Sequence, residues 1–128
     1  MTCLDTAILI DVLDGADAAR KLMEEVDARN ERHGVSPVTA AELWIGSDLG
    51  SAAEYRRSED LLESLLWFDI DRSCARRAGE IQARLIEDGS RFGFNDCLIA
   101  ATAIEHGQTL VAGDSVFERV PNLRVRSY

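Results

Sequence analysis

The chain has 128 residues, of which 46% are hydrophobic and 29% charged, with a formal net charge of −9. That length suits one domain over residues 1–128 with a real core, and the composition excludes intrinsic disorder. No run approaches the roughly 18–20 apolar residues that span a bilayer. The opening Met1-Thr2-Cys3-Leu4-Asp5 lacks the basic start of a secretory signal, so the expectation is a cytoplasmic protein with no membrane role.

Residues 2–5 are short and apolar and predict a first strand. Residues 7–13 read as a helix closed near Gly15. Over residues 17–32, Ala19, Leu22, Met23 and Val26 share one helical face, and Gly34 breaks the pattern. Val35 and Ser36 suggest a second strand, while Ser36-Pro37 supplies a cap and a first-turn proline for the helix that carries Glu42. Residues 51–66 form a charged, then leucine-rich helix with Leu61, Leu62, Leu65 and Leu66 turned inward.

Residues 67–70 are a strand candidate, and Asp71 caps a helix whose buried stripe is Cys74, Ala78, Ile81 and Leu85. Gly89 ends that helix. Asn95 is the expected cap of a helix running to Gly107, apolar almost all round and therefore buried. Residues 109–112 and 123–126 complete the strands. Strands separated by helices imply crossovers and a mostly parallel sheet: an α/β fold, with helices on the faces of a short sheet.

Charge and cysteines narrow the chemistry further. Cys3, Cys74 and Cys97 are odd in number and lack metal-site spacing, so zinc and a disulfide framework are both excluded. Lys21 is the single lysine, and the acid excess suits a salt-rich cytoplasm or a GC-rich genome. Residues 1–71 carry net −10, residues 72–91 net +2 and residues 92–128 net −1. The basic island Arg72, Arg76, Arg77, Arg84 and Arg91 either guides a phosphate backbone or pairs with Glu80, Glu87 and Asp88 at helical spacing.

In a parallel sheet, sites form beyond the C-terminal ends of the strands. Four acids stand there by context: Asp5, Glu42, Asp96 and Asp114. Taken singly, each has a plain alternative, with Asp96 as a cap, Asp114 as a turn residue, Asp5 as a loop acid and Glu42 as a solvated side chain. Gathered together, four carboxylates repel unless a cation joins them, and all-oxygen donors suit a hard ion such as Mg²⁺ or Mn²⁺. His33 and His106 near helix ends suit the helix dipole. Trp44, Trp67 and Phe68 read as core or dimer contacts, and Phe92 and Phe94 flank Gly93 beside the proposed site.

The motifs around these acids resemble those of PIN-domain ribonucleases. Leu4-Asp5-Thr6 with Leu9-Ile10-Asp11 resembles the family's opening, and Ser36-Pro37-Val38-Thr39-Ala40-Ala41-Glu42-Leu43 its second motif. Asn95-Asp96-Cys97-Leu98-Ile99-Ala100-Ala101 is similar to the third, and Leu110-Val111-Ala112-Gly113-Asp114-Ser115 to the fourth. Length and motif order look most like the VapC-type toxins of toxin–antitoxin pairs. The resemblance implies a three-layer α/β/α sandwich and a Mg²⁺-dependent endoribonuclease, with Mn²⁺ as a substitute. It assigns the metal and catalytic roles to Asp5, Glu42, Asp96 and Asp114, and implies an RNA substrate, a cognate antitoxin and a homodimer.

One departure is Ala112, where the family commonly has Thr or Ser; Thr6, Asn95 and Ser115 are the nearby polar alternatives. The rival reading is a catalytically impaired PIN-like binding or assembly module. A receiver domain needs a lysine across the sheet, and Lys21 lies in an early helix. A phosphotransferase of the haloacid dehalogenase type needs a second Asp two residues after the first, where this chain has Ala7.

Overall fold

The computed structural model describes residues 1–90 and 92–128. In chain order the elements are β1 (Thr2–Leu4), α1 (Thr6–Leu13), α2 (Asp17–Ala28), β2 (His33–Val35), α3 (Pro37–Asp48) and α4 (Ala52–Glu63). They continue with β3 (Leu66–Trp67), α5 (Arg72–Glu87), α6 (Phe94–Glu105), β4 (Thr109–Val111), a 3₁₀ helix (Ser115–Arg119) and β5 (Val125–Arg126). The strands form one parallel sheet in the order β3-β2-β1-β4-β5. No described helix is long and apolar enough to cross a membrane.

Strand alternation sends neighbouring side chains to opposite faces and so builds two cores. Cys3, Leu110 and Ala112 pack with the buried stripes of α5 and α6. Leu4, Val35 and Val111 pack with Ile8 and Leu9 of α1, Leu22 and Val26 of α2, Leu43 of α3 and Leu62 of α4. The result is the expected α/β/α sandwich. Helix α6 is the most enclosed helix, with Cys97, Ile99, Ala100, Ala101, Thr102 and Ala103 all buried. Its alanines let it lie close to the sheet and to α5.

Several boundaries differ from the sequence expectation, each for a local reason. Helix α2 stops at Ala28, because Asn30 adopts φ 58°, a left-handed conformation that Asn tolerates. Strand β2 runs from His33 to Val35, so Gly34 lies inside the strand and Ser36 is the α3 cap, its hydroxyl accepting from Thr39 N at 3.2 Å. Glycine is required at position 34 because the Phe68 ring fills the space a Cβ would take. Helix α4 ends at Glu63, so Leu65 and Leu66 lie beyond it, and β3 is Leu66–Trp67, not residues 67–70.

Helix α6 is capped by Gly93, which moves Asn95 inside the first turn. Strands β4 and β5 are shorter than expected, and the 3₁₀ helix after β4 has no counterpart in the sequence reading. His33 is a strand residue, not a helix-end cation; its ring meets Asp27 Oδ1 at 3.1 Å and Thr2 Oγ1 at 3.3 Å. His106 does close α6, with Nε2 2.8 Å from the Asp69 carbonyl.

Candidate active site

Strand order reverses between β1 and β4, because the chain leaves β1 toward β2 on one side and adds β4 on the other. Such a switch point opens a crevice at the C-terminal ends of the two strands. Asp5 emerges directly from β1, with its amide donating to the Val111 carbonyl of β4 at 3.0 Å. It occupies the N-cap position of α1, yet its carboxylate makes no capping hydrogen bond and is 6% exposed. Asp114 follows β4 across Ala112 and Gly113 and does cap: its Oδ1 accepts from Val116 N at 3.0 Å, opening the 3₁₀ helix.

Glu42 and Asp96 arrive on helices. Glu42 lies on the second turn of α3, half-buried, where its Oε1 accepts from Thr6 Oγ1 at 2.8 Å. Asp96 lies in the first turn of α6, half-buried, with Gly93 as that helix's cap. The cap reading of Asp96 therefore fails, whereas the turn reading of Asp114 holds beside any other role.

Electrostatics ties the four together. Burial pushes the Asp5 carboxyl up to about 6; the Thr6 amide pulls it down, and the charges of Asp96, Glu42 and Asp114 push it further up. Burial likewise raises Asp96, with Glu42 and Asp114 adding to the effect. None of the four takes part in an ion pair among the described residues.

Carboxylate oxygens without a protein cation form the donor chemistry of a hard divalent ion. Among the described residues, however, no three His, Cys, Asp or Glu side chains form a ready-made ligand group. By donor type, then, the residues fit a divalent cation.

The surroundings sort the remaining candidates. Thr6 is engaged through Glu42, while Asn95 and Ser115 are exposed. Ala112 is buried in the α5–α6 core, so its methyl group packs against hydrocarbon. Phe92 is buried edge-on against Phe117, with ring centroids 5.5 Å apart, whereas Phe94 is 52% exposed two residues before Asp96. Trp44 and Trp67 pack together at 5.8 Å, and Phe68 is core.

On α5, Arg77 pairs with Glu105 of α6 at 3.0 Å, not with the acids of its own helix. Arg84 makes no ion pair among the described residues, and Arg91 lies outside them. One neighbour of the site carried no local signal in the sequence. Tyr128 Oη donates to Asp11 Oδ2 at 2.7 Å, across 117 residues of chain.

Comparison with known proteins agrees with this architecture. Residues 2–123 match the PIN domain family. The chain is 34% identical to Ribonuclease VapC2 of Haemophilus influenzae over 131 aligned positions, covering 98% of this chain and 96% of the relative. It is 28% identical to the tRNA(fMet)-specific endonuclease VapC of Salmonella typhimurium, covering 84% and 83%. Among solved structures, VapBC2 of Rickettsia felis bound to a promoter DNA fragment matches with TM-score 0.87 and 28% identity, covering 99% and 98%. DNA-bound VapBC of Salmonella typhimurium matches with TM-score 0.88 and 26% identity, covering 99% and 98%. Motif order, fold and these matches agree, and the chain belongs to the PIN domain family, alongside the VapC ribonucleases.

Proposed function

We propose that this chain is a divalent-metal-dependent endoribonuclease, the toxin of a toxin–antitoxin pair, working through Asp5, Glu42, Asp96 and Asp114. The observation that carries the reading is the electrostatic meeting of four carboxylates at the switch point, with no protein cation paired to any of them among the described residues. Asp5, Asp96 and Asp114 are the carboxylates we assign to Mg²⁺, directly or through water, with Mn²⁺ as an alternative. Bound there, such an ion polarises a phosphate oxygen and acidifies water.

The chain's own groups do the rest. Asp5 is ionised above about pH 6 and sits where water has little access. Thr6 holds one oxygen of Glu42, leaving the other to orient the attacking water. The exposed ring of Phe94 offers a stacking face to an unpaired base beside the scissile phosphate.

The partner reading rests on the VapBC complexes and on one surface. Between α1, α3 and α4 lies a groove of about 310 Å³ lined by Ile10, Leu43, Glu42 and Arg57 among others. Ile10 on its wall is 44% exposed, and Ile45 and Leu49 farther along α3 are 63% and 85% exposed. An antitoxin segment seated there reaches Glu42 and blocks the site. A homodimer is the assembly expected alongside it.

The test is cleavage of total cellular RNA by purified protein, wild type beside Asp96→Asn, with Mg²⁺, Mn²⁺ or chelator and at low and high salt. Discrete fragments that need both metal and Asp96 support the nuclease. Folded wild-type protein yielding no fragments under any condition overturns it in favour of an impaired binding module.

A further inference from the structure

Tyr128 touches α1, the turn at Gly113 and the core beneath the sheet. Its hydroxyl donates to Asp11 on α1 at 2.7 Å. The hydroxyl end of its ring lies beside Gly113, so close that a Cβ at position 113 would sit 3.2–3.3 Å from Cε1, Cζ and Oη. Its apolar part packs on the core that contains Leu4 and Val111, the residues immediately before Asp5 and two before Gly113.

Gly113 lies between the buried Ala112, which follows β4, and the candidate ligand Asp114. Asp11 lies six residues along α1 from Asp5, the cap residue of the same helix. The Asp5 charge reaches the Tyr128 hydroxyl, which burial and the Asp11 bond already hold in its neutral, donating form. One side chain thus grips both the helix that begins at Asp5 and the turn that carries Asp114.

Asp114 needs such a grip. It is exposed, and its carboxylate is shared with the Val116 amide. An exposed turn has little packing of its own to fix where its carboxylate points, and supporting contacts around a metal ligand typically govern affinity about tenfold or more.

We infer that Tyr128, held by Asp11, is a positioning residue for the metal site, fixing the Gly113–Asp114 turn against α1. The inference rests on the proposed carboxylate site. It also gives a reason for glycine at position 113, since a Cβ there would press on the tyrosine ring at 3.2–3.3 Å and make it give way. Two side chains separated by most of the chain then act as one unit toward the ion.

The experiment is titration of the metal-free protein with Mn²⁺ alone, followed by calorimetry and by electron paramagnetic resonance of the free ion. Apo stability is measured in parallel by chemical denaturation. The variants are Tyr128→Phe, Asp11→Ala, their combination, Asp11→Asn and Asp5→Asn. Tyr128→Phe keeps the ring on Gly113 and loses only the hydrogen bond. It is expected to weaken Mn²⁺ about tenfold, with Asp11→Ala matching it and the double variant no weaker than either. Asp11→Asn keeps an acceptor oxygen and is expected to bind as wild type does.

A merely structural tyrosine gives the opposite pattern: lower apo stability in Tyr128→Phe and unchanged Mn²⁺ affinity of the folded protein. If wild type binds Mn²⁺, Asp5→Asn does not, and the Tyr128 and Asp11 variants bind like wild type, the positioning inference falls while the site stands. If Asp5→Asn binds as tightly as wild type, or wild type does not bind at all, the site reading fails and the inference with it.

Discussion

Thr6 Oγ1 donates a 2.8 Å hydrogen bond to Glu42 Oε1, joining the first turn of α1 to the second turn of α3 across 36 residues. One of this glutamate's two oxygens already accepts a hydrogen bond before any ligand arrives, and its rotamer is held in advance. Thr6→Val keeps the shape and removes the donor. The expected result is a drop of about tenfold or more in RNA cleavage rate, with Thr6→Ser close to wild type. Equal rates for all three proteins would show that Glu42 needs no such support.

Asp96 offers the sharpest loss. Its substitution by Asn removes charge at nearly constant volume from a half-buried first-turn position. Cleavage is expected to vanish while the circular dichroism spectrum and the midpoint of unfolding stay near wild type. Unfolding of Asp96→Asn under assay conditions would instead assign Asp96 to the scaffold.

Asp5 makes the fold itself pH-dependent. Its carboxyl rises from 3.8 in the unfolded chain to about 6 in the native one, chiefly through burial. The native state therefore holds the proton more tightly, so stability is highest below 3.8 and falls as pH rises toward about 6. The difference amounts to about 3 kcal/mol. In chelator, Asp5→Asn is expected to be more stable than wild type at pH 7, with the gap closing by pH 4. Mg²⁺ at pH 7 should then raise the unfolding midpoint of wild type and leave Asp5→Asn unmoved. A gap independent of pH would remove Asp5 as the source.

Gly34 is the most constrained position of β2. The Phe68 ring occupies its missing side chain, and that ring is itself buried and packed at a tilt against His106, centroids 5.2 Å apart. Gly34→Ala is expected to cost about 1–3 kcal/mol by overpacking, measured by urea denaturation. Pairing it with Phe68→Leu should recover part of the loss, because the shorter side chain makes room.

Periodicity and caps made the helices legible: the α5 stripe Cys74, Ala78, Ile81 and Leu85 is buried throughout, and Asp71 and Ser36 cap as their types suggest. The strands were visible but misplaced at their ends. Strands of two or three residues carry too little alternation to mark a boundary, and a glycine inside one looks like a break until the ring against it is known. All four acids were legible as residues after strands or at helix starts. What links them was not: Thr6 to Glu42 spans 36 residues and Tyr128 to Asp11 spans 117, and nothing local records either contact. Arg77 shows the same limit, since its partner Glu105 lies on the neighbouring helix and helical spacing pointed elsewhere.

The central strand β1 pairs on one side with β2, Thr2 against His33, and on the other with β4, Thr2 against Thr109. The second pairing closes a loop of more than a hundred residues, the kind of non-local contact that forms late. During synthesis, Asp5 and Glu42 emerge early, but the crevice between β1 and β4 has no second wall until residue 111 has been made, and Asp114 comes later still. A ribosome partway through this message therefore carries a chain with half of the proposed site. The proposed site is complete only once β4 has paired with β1.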